Sequence, residues 1–238
     1  MKIALIGYGK MGKAIEEIAL QRGHHILYRI DVESKDLLEK NSLKEADIAI
    51  EFTTPSTAYQ NIMRCFDAGL PLVCGTTGWY SKVNDVKQRC LKEKQSFLYA
   101  SNFSIGVNIF FEINKKLAEL MSKQLQYEVS LEEIHHTQKK DAPSGTAITL
   151  AEEILKEIPR KKKWVNEGTT NPKDLGIVSK RIDPAPGTHI IRYTSDVDDI
   201  EIRHTAHSRK GFALGAVTAA EWLAGKKGFF TMKDVLGL

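Results

Sequence analysis

Between residues 1 and 100, short apolar runs alternate with segments of helical period, and each run ends in turn-forming residues. Ile3-Ala4-Leu5-Ile6 runs into Gly7, and residues 26–30 end at Asp31. Residues 48–52 break at Thr53-Thr54-Pro55, Leu72-Val73-Cys74 ends in Gly75-Thr76-Thr77-Gly78, and residues 97–100 end in Ser101-Asn102-Phe103. Unbroken apolar runs this short suit strands buried on both faces. Between them, Met11, Ala14, Ile15, Ile18 and Ala19 share one helical face that Gly23 is placed to end, and residues 56–67 and 81–94 also suit helices. The rhythm predicts an α/β fold: an N-terminal Rossmann-type parallel sheet over 1–103, helices on both faces, ligands at the carboxyl ends of the strands.

From about Phe103 the rhythm changes. Ile105, Ile109, Ile113, Leu117 and Leu120 mark a long amphipathic helix. Strand patterns follow at 127–134, 177–182, 188–195 and 199–206, with one clear helix among them at about 144–157. Strands without intervening helices predict a second, α+β domain over 104–206 on a mixed or antiparallel sheet. A helix at 212–224 closes the chain, and 207–238 is expected to pack back on the first domain.

A hydrophobic share of 42% supports real cores. A net charge of +4, from 34 basic and 30 acidic residues, does not argue for nucleic acid but suits a locally positive cleft for a small anion. The run Arg160-Lys161-Lys162-Lys163 after Pro159 reads as a solvated loop. Cys65, Cys74 and Cys90 form no CxxC pair, which fits a reducing compartment without disulfides. No apolar run nears the ~20 residues of a membrane span, and glycines cut the first run off too early for a signal peptide. A cytoplasmic location is expected.

Two motifs carry chemistry. Gly7-Tyr8-Gly9-Lys10-Met11-Gly12 is G-x-G-x-x-G between a strand and a helix, with Asp31 at the spacing of a ribose-binding acid. Gly7 permits the tight turn, Gly9 lets a pyrophosphate approach the backbone, and Gly12 lets helix and strand pack closely. The helix start supplies N–H groups to the phosphates. Asp31 favours NADH because a carboxylate repels a 2′-phosphate; Arg29 and Lys35 stand near enough in sequence to soften that repulsion, so NADPH stays open. Gly75, Thr76 and Thr77, with Ala100, Ser101, Asn102 and Phe103, leave strands at the same sheet edge and could serve the nicotinamide half.

The second motif, His135-His136-Thr137-Gln138-Lys139-Lys140-Asp141-Ala142-Pro143-Ser144-Gly145-Thr146-Ala147, joins a strand to a helix. Gly145 and Thr146 put N–H groups at a helix start, a site for a carboxylate or phosphate. Histidine exchanges protons near neutral pH, lysine is a cation that becomes an acid when desolvated, and Asp141 can cap the helix or orient a lysine. Adjacent histidines on a strand point to opposite sides, so one at most reaches a given site. They match no metal pattern, and no metal is expected.

The string from Glu133 to Ala147 resembles the E-x-H-H-x-x-K-x-D-A-P-S-G-T-A signature of the 4-hydroxy-tetrahydrodipicolinate reductase (dihydrodipicolinate reductase) family of lysine and diaminopimelate biosynthesis. Glu51-Phe52-Thr53, Gly75-Thr76-Thr77-Gly78, Ala100-Ser101-Asn102-Phe103-Ser104 and Gly211-Phe212-Ala213-Leu214-Gly215-Ala216 extend the resemblance over the whole chain. It implies NAD(P)H on the first domain and a ring dicarboxylate substrate between domains. It also implies His135 as acid/base, Lys139 as proton donor, His136 as a substrate contact, Gly145-Thr146 as the substrate-carboxylate turn, and a homotetramer through the second domain's sheet. The first turn is one residue shorter than the family's usual form, and Val32 follows Asp31 where the family often has arginine.

Two other readings stand beside this one. A semialdehyde or amino-acid dehydrogenase could share the two-domain plan, the former needing a cysteine nucleophile. A nucleotide-sensing module would need Gly7 to Gly12 but not the His-His-x-x-Lys cluster.

Overall fold

The computed structural model describes residues 1–31, 33 and 41–238. It divides into two compact units, Met1–Ile105 with Arg209–Leu238, and Gly106–Ser208.

The first unit is built on β1 (Lys2–Ile6), β2 (His25–Ile30), β3 (Ile48–Glu51), β4 (Leu72–Cys74) and β5 (Ser96–Tyr99), with β11 (Gly228–Phe230) from the chain's end. The six-stranded sheet has the order β11-β5-β4-β3-β1-β2, and every neighbouring pair is parallel. The chain leaves β1 for β2 on one side and then places β3 on the other. The carboxyl ends of β1 and β3 therefore flank a topological switch point.

Helices α1 (Lys10–Gln21) and α6 (Lys210–Leu223) cover one face, and α2 (Pro55–Asp67) and α3 (Val83–Lys92) the other. Successive strand residues serve opposite cores: Leu5 and Ile50 pack with Ile15 and Val217, while Ile6 and Ala49 pack with Ile62 and Phe66. Gly215 lets α6 sit against the turn after β5, because a Cβ there would lie 1.7 Å from the Phe103 carbonyl oxygen.

The second unit contains α4 (Ile105–Met121), β6 (Glu128–His135), α5 (Gly145–Glu157), β7 (Lys163–Val165), β8 (Asp174–Arg181), β9 (Gly187–Thr194) and β10 (Asp199–Ala206). Its five-stranded sheet runs β10-β9-β6-β8-β7. The β10–β9 and β9–β6 pairs are antiparallel, and the β6–β8 and β8–β7 pairs parallel, so the sheet is mixed, as the helix-poor pattern predicts. One face packs on α4 and α5 through Leu131, Ile177, Ile191, Ala118, Leu150 and Ile154.

Three local expectations need correction. The α4 stripe of Ile109, Ile113 and Leu120 is 42–59% exposed, while Val107, Phe110, Asn114, Ala118 and Met121 face the core. The helix carries two apolar stripes. Asn114 hides the buried one, since its side-chain NH2 donates inside to the Leu150 carbonyl at 3.2 Å and to Glu153 at 3.3 Å.

The basic run is solvated only in part: Lys162 and Lys163 are exposed, but the first two residues are engaged. Lys161 is buried against Glu128 and the Asp174 carbonyl, and Arg160 donates to the carbonyls of Ser122 and Tyr127. Finally, β7, β11 and the short α7 (Met232–Leu236) were absent from the expectation. Elements of three to five residues carry too little periodicity to register.

Candidate active site

In the first unit, backbone bonds stitch three strand ends together at the switch point. Gly7 N–H donates to the Ile30 carbonyl and Phe52 N–H to the Ile6 carbonyl, both at 2.8 Å. Gly7 has φ +93°, and a Cβ there would lie 2.0 Å from the Phe52 carbonyl oxygen. A Cβ on Gly12 would lie 2.3 Å from the Gly7 oxygen. Gly9 differs: it is the N-cap of α1, provides no side-chain cap, and a Cβ there would meet nothing within 4 Å. The turn thus requires glycine twice for its own geometry and once leaves open space over a helix start.

A cavity of ≈ 490 Å³ opens at this point, lined among others by Gly7, Tyr8, Gly9, Asp31, Asn61 and Arg64. A smaller one, ≈ 200 Å³, is lined by Met11, Phe52, Thr53, Pro55, Gly75, Thr76 and Thr77, with Phe52 and Thr53 forming walls of both. Thr76 is buried, and its hydroxyl accepts from Thr53 N–H at 2.7 Å, so it ties β3 to β4. Lys10, Gly12 and Ala100-Ser101-Asn102-Phe103 line neither cavity. Of these, Lys10 and Ser101 are exposed, Gly12, Ala100 and Phe103 are buried, and Asn102 accepts from Ser104 N–H at 2.9 Å. The glycine geometry, uncapped helix start and cavity fit a dinucleotide.

Arg29 donates to Glu16 through Nε at 3.0 Å, its guanidinium stands 5.9 Å from the Tyr8 ring centre, and the Tyr8 hydroxyl donates to the same Glu16 carboxylate. Arg29 holds the Glu16 carboxyl below its ordinary value against the opposing effect of burial. The arginine offered as relief for a 2′-phosphate is thus already engaged, and Lys35 lies outside the described residues.

In the second unit, strand register assembles the site. Leu131 pairs with Ile177 and Ile191, an apolar row. The next inward row is polar: Glu133 on β6 pairs with Ser179 on β8 and His189 on β9, and His189 pairs with His204 on β10. In the last row, His135 pairs with Arg181 and Ala206 with Gly187. Glu133, His135 and His189 are all buried.

Glu133 is hydrogen-bonded to His135 Nδ1, and its Oε1 is ion-paired with Arg181 at 2.9 Å. Burial pushes its pKa up, but hydrogen bonds from His135, Ser179 and Arg181 outweigh this and leave it at about 2. An ionised Glu133 accepts the hydrogen bond from Nδ1–H, which leaves Nε2 as the ring nitrogen that Glu133 does not engage. A Cβ on Gly187 would lie 3.0 Å from that Nε2, so glycine there keeps the nitrogen uncovered.

Lys139 donates to both oxygens of Asp141 at 2.8 Å, and Arg181 donates to the Asp141 carbonyl at 2.6 Å. Asp141 therefore orients the lysine, while Ser144 caps α5 by accepting from Ala147 N–H at 3.2 Å. Gly145 and Thr146 are the first residues of α5, and a Cβ on Gly145 would meet nothing within 4 Å. His136 stands just past β6, half-buried, its Nδ1 without a hydrogen-bond partner among the described residues.

His189, Gly187 and Arg181 were not singled out from the sequence. They lie far along the chain from His135, and only cross-strand register joins them. Donor atoms of Glu133, His135 and His189 lie within 4.8 Å of one another, as in metal sites, but Arg181 already balances the carboxylate charge.

Burial first, then the charge of His135, lowers the His189 pKa to about 3; His204 and Lys139 act the same way and Glu133 opposes them. A histidine kept neutral in the fold but titrating near pH 6.5 unfolded costs stability as pH falls from about 6.5 towards 3, at up to about 1.4 kcal/mol per pH unit. Urea midpoints measured from pH 7.5 to 5 are expected to fall more steeply for the wild type than for His189→Gln. Parallel falls would contradict a neutral His189. The Glu133 carboxyl, depressed rather than raised, keeps its contribution down to the ordinary carboxylate range and loses it as pH falls from about 4.5 towards about 2.

The nucleotide-type turn and the proton-active cluster define an oxidoreductase with a Rossmann-type fold. Residues 1–103 match the family model "Dihydrodipicolinate reductase, N-terminus", and residues 106–236 match "Dihydrodipicolinate reductase, C-terminus". The chain is 50% identical over 238 residues to the 4-hydroxy-tetrahydrodipicolinate reductase of Christiangramia forsetii, covering 99% of this chain and 98% of that one. The Methanosarcina barkeri protein of the same name is 38% identical, covering 87% and 79%. The solved dipicolinate-bound dihydrodipicolinate reductase from Paenisporosarcina sp. TG-14 shares the fold with a TM-score of 0.75 at 23% identity, covering 97% of both chains. This chain belongs to the dihydrodipicolinate reductase family.

Proposed function

We infer that the chain reduces 4-hydroxy-tetrahydrodipicolinate to tetrahydrodipicolinate with NADH or NADPH, a step of lysine and diaminopimelate biosynthesis. In balance, the ring loses its hydroxyl and one ring hydrogen together as water, and gains one hydride and one proton. The nicotinamide, when bound, supplies the hydride. The observation that carries the reading is the meeting, within one unit, of the Glu133–His135–Arg181 cluster, the Lys139–Asp141 pair and the open start of α5. A small ring dicarboxylate needs that set: cations and helix N–H groups for its carboxylates, and a proton carrier beside them.

In this reading His135, oriented by Glu133, handles the proton, and Lys139 donates a proton or holds developing negative charge. His136 contacts substrate, and the Gly145-Thr146 N–H groups bind a carboxylate. The Gly7 to Gly12 turn, Asp31 and the Gly75-Thr76-Thr77 wall hold the dinucleotide. NADH is slightly favoured, because Asp31 lines the cavity and Glu16 engages Arg29. The second unit serves substrate binding and assembly into a homotetramer in the cytoplasm. A thiol nucleophile finds no support: Cys65, Cys74 and Cys90 are all buried, burial raises each thiol pKa, and that of Cys90 reaches about 11.

The test is oxidation of NADH and NADPH with enzymatically generated 4-hydroxy-tetrahydrodipicolinate. Turnover dependent on that substrate is expected, with the larger kcat/KM for NADH. Stoichiometric NADH binding without turnover would instead favour a nucleotide-sensing module.

A further inference from the structure

His189 plays no part in the reading above, yet it touches two of its components. Its Nε2 lies 3.1 Å from the Ser144 hydroxyl, the N-cap of α5. Its ring meets that of His135 edge-on, with centroids 5.2 Å apart and planes at 72°. It is 5% exposed, and its Nδ1 is buried without a hydrogen-bond partner among the described residues. An apolar side chain would fill the same space with no polar atom to satisfy, so core packing alone does not call for histidine here.

The orphan nitrogen assigns the tautomer. A proton on Nδ1 would be a buried, unpaired donor, whereas a proton on Nε2 is donated to the Ser144 oxygen and leaves only a lone pair unpaired. Ser144 Oγ then accepts twice, from His189 and from Ala147 N–H at 3.2 Å. Both acceptor positions are filled, so the hydroxyl hydrogen is the one bonding capacity that remains. Ser144 becomes a fixed donor next to the Gly145 and Thr146 N–H groups. The groups facing the imidazole from neighbouring elements are Glu133 and His135 on β6, His204 on β10, and Lys139 and Ser144 before α5.

We propose that His189 is a positioning residue: by donating to Ser144 it turns that hydroxyl into a carboxylate donor at the start of α5 and holds this start in register with His135. The proposal rests on the reading of the site as a dicarboxylate site.

The test uses full-length protein, pyridine-2,6-dicarboxylate as probe, calorimetric affinities for the probe and for NADH, and four variants: His189→Leu, His189→Gln, Ser144→Ala, and Ser144→Ala with His189→Leu. His189→Leu is expected to weaken dicarboxylate binding by about tenfold, the loss of one hydrogen bond to a charged group, with NADH affinity unchanged. His189→Gln, whose amide N–H reaches near the Nε2 position, should restore most of it. The double variant should bind as Ser144→Ala does, because the two residues act through one another. If His189→Leu does not fold, His189→Asn, too short to reach Ser144, takes its place. Equal losses for Gln and Leu, losses that multiply in the double variant, or unchanged affinity in His189→Leu would each overturn the inference alone. A wild-type protein that binds NADH but no dicarboxylate would overturn the functional reading and this inference with it.

Discussion

Lys139→Ala is expected to lower kcat by on the order of 10³, with the NADH dissociation constant held within about twofold. Lys139 is three-quarters covered and fixed by two 2.8 Å bonds to Asp141, so its ammonium is placed before substrate arrives. In the proposed reading, removing it takes away a preorganised charge and proton donor, a loss felt where negative charge develops. The nucleotide cavities are lined wholly by first-unit residues, which is why NADH affinity should not follow. Lys139→Arg should recover substrate binding better than turnover, since a guanidinium keeps the charge but does not give up a proton. Loss of kcat and NADH affinity in equal measure would remove Lys139 from the chemistry.

Gly9→Ala should leave stability within about 1 kcal/mol of wild type, the cost of alanine at an N-cap, while weakening NADH binding by at least about tenfold. Its φ is −79°, acceptable to alanine, and a Cβ there meets nothing within 4 Å. The space above it is where a pyrophosphate would approach the backbone. Gly7→Ala is the contrasting variant. At φ +93° with a Cβ 2.0 Å from the Phe52 oxygen, it should lose several kcal/mol of stability as well as binding. Chemical denaturation and NADH calorimetry on the pair separate the two roles. A Gly9→Ala protein that binds NADH normally would mean that the open space serves something else.

The first unit was legible because its signals are local. Runs such as Ile3-Ala4-Leu5-Ile6 need burial on both faces, and the glycines after β1 sit at the switch point that a βαβ order creates. In the second unit the sheet class was readable, but the α4 face was not, because the Asn114 NH2 finds its acceptors inside the core while Ile109 and Ile113 stay outside. Lys161 misled for a related reason: a buried ion pair with Glu128 depends on a partner far along the chain. The same limit applies to the site. His135 and Lys139 stand out in one continuous string, whereas Arg181, Gly187 and His189 come to His135 through the β8–β6–β9 register. Local composition carries no trace of that pairing.

The central claim is that this chain moves a hydride from a nicotinamide to a ring dicarboxylate. Its most direct test is a reaction with NADH and NADPH deuterated at the nicotinamide C4, 4-hydroxy-tetrahydrodipicolinate generated in situ, and mass analysis of the product. One deuterium retained in tetrahydrodipicolinate for each reduced cofactor consumed is the predicted result. Cofactor oxidation that leaves the product unlabelled, or no oxidation beyond that seen without protein, would contradict it.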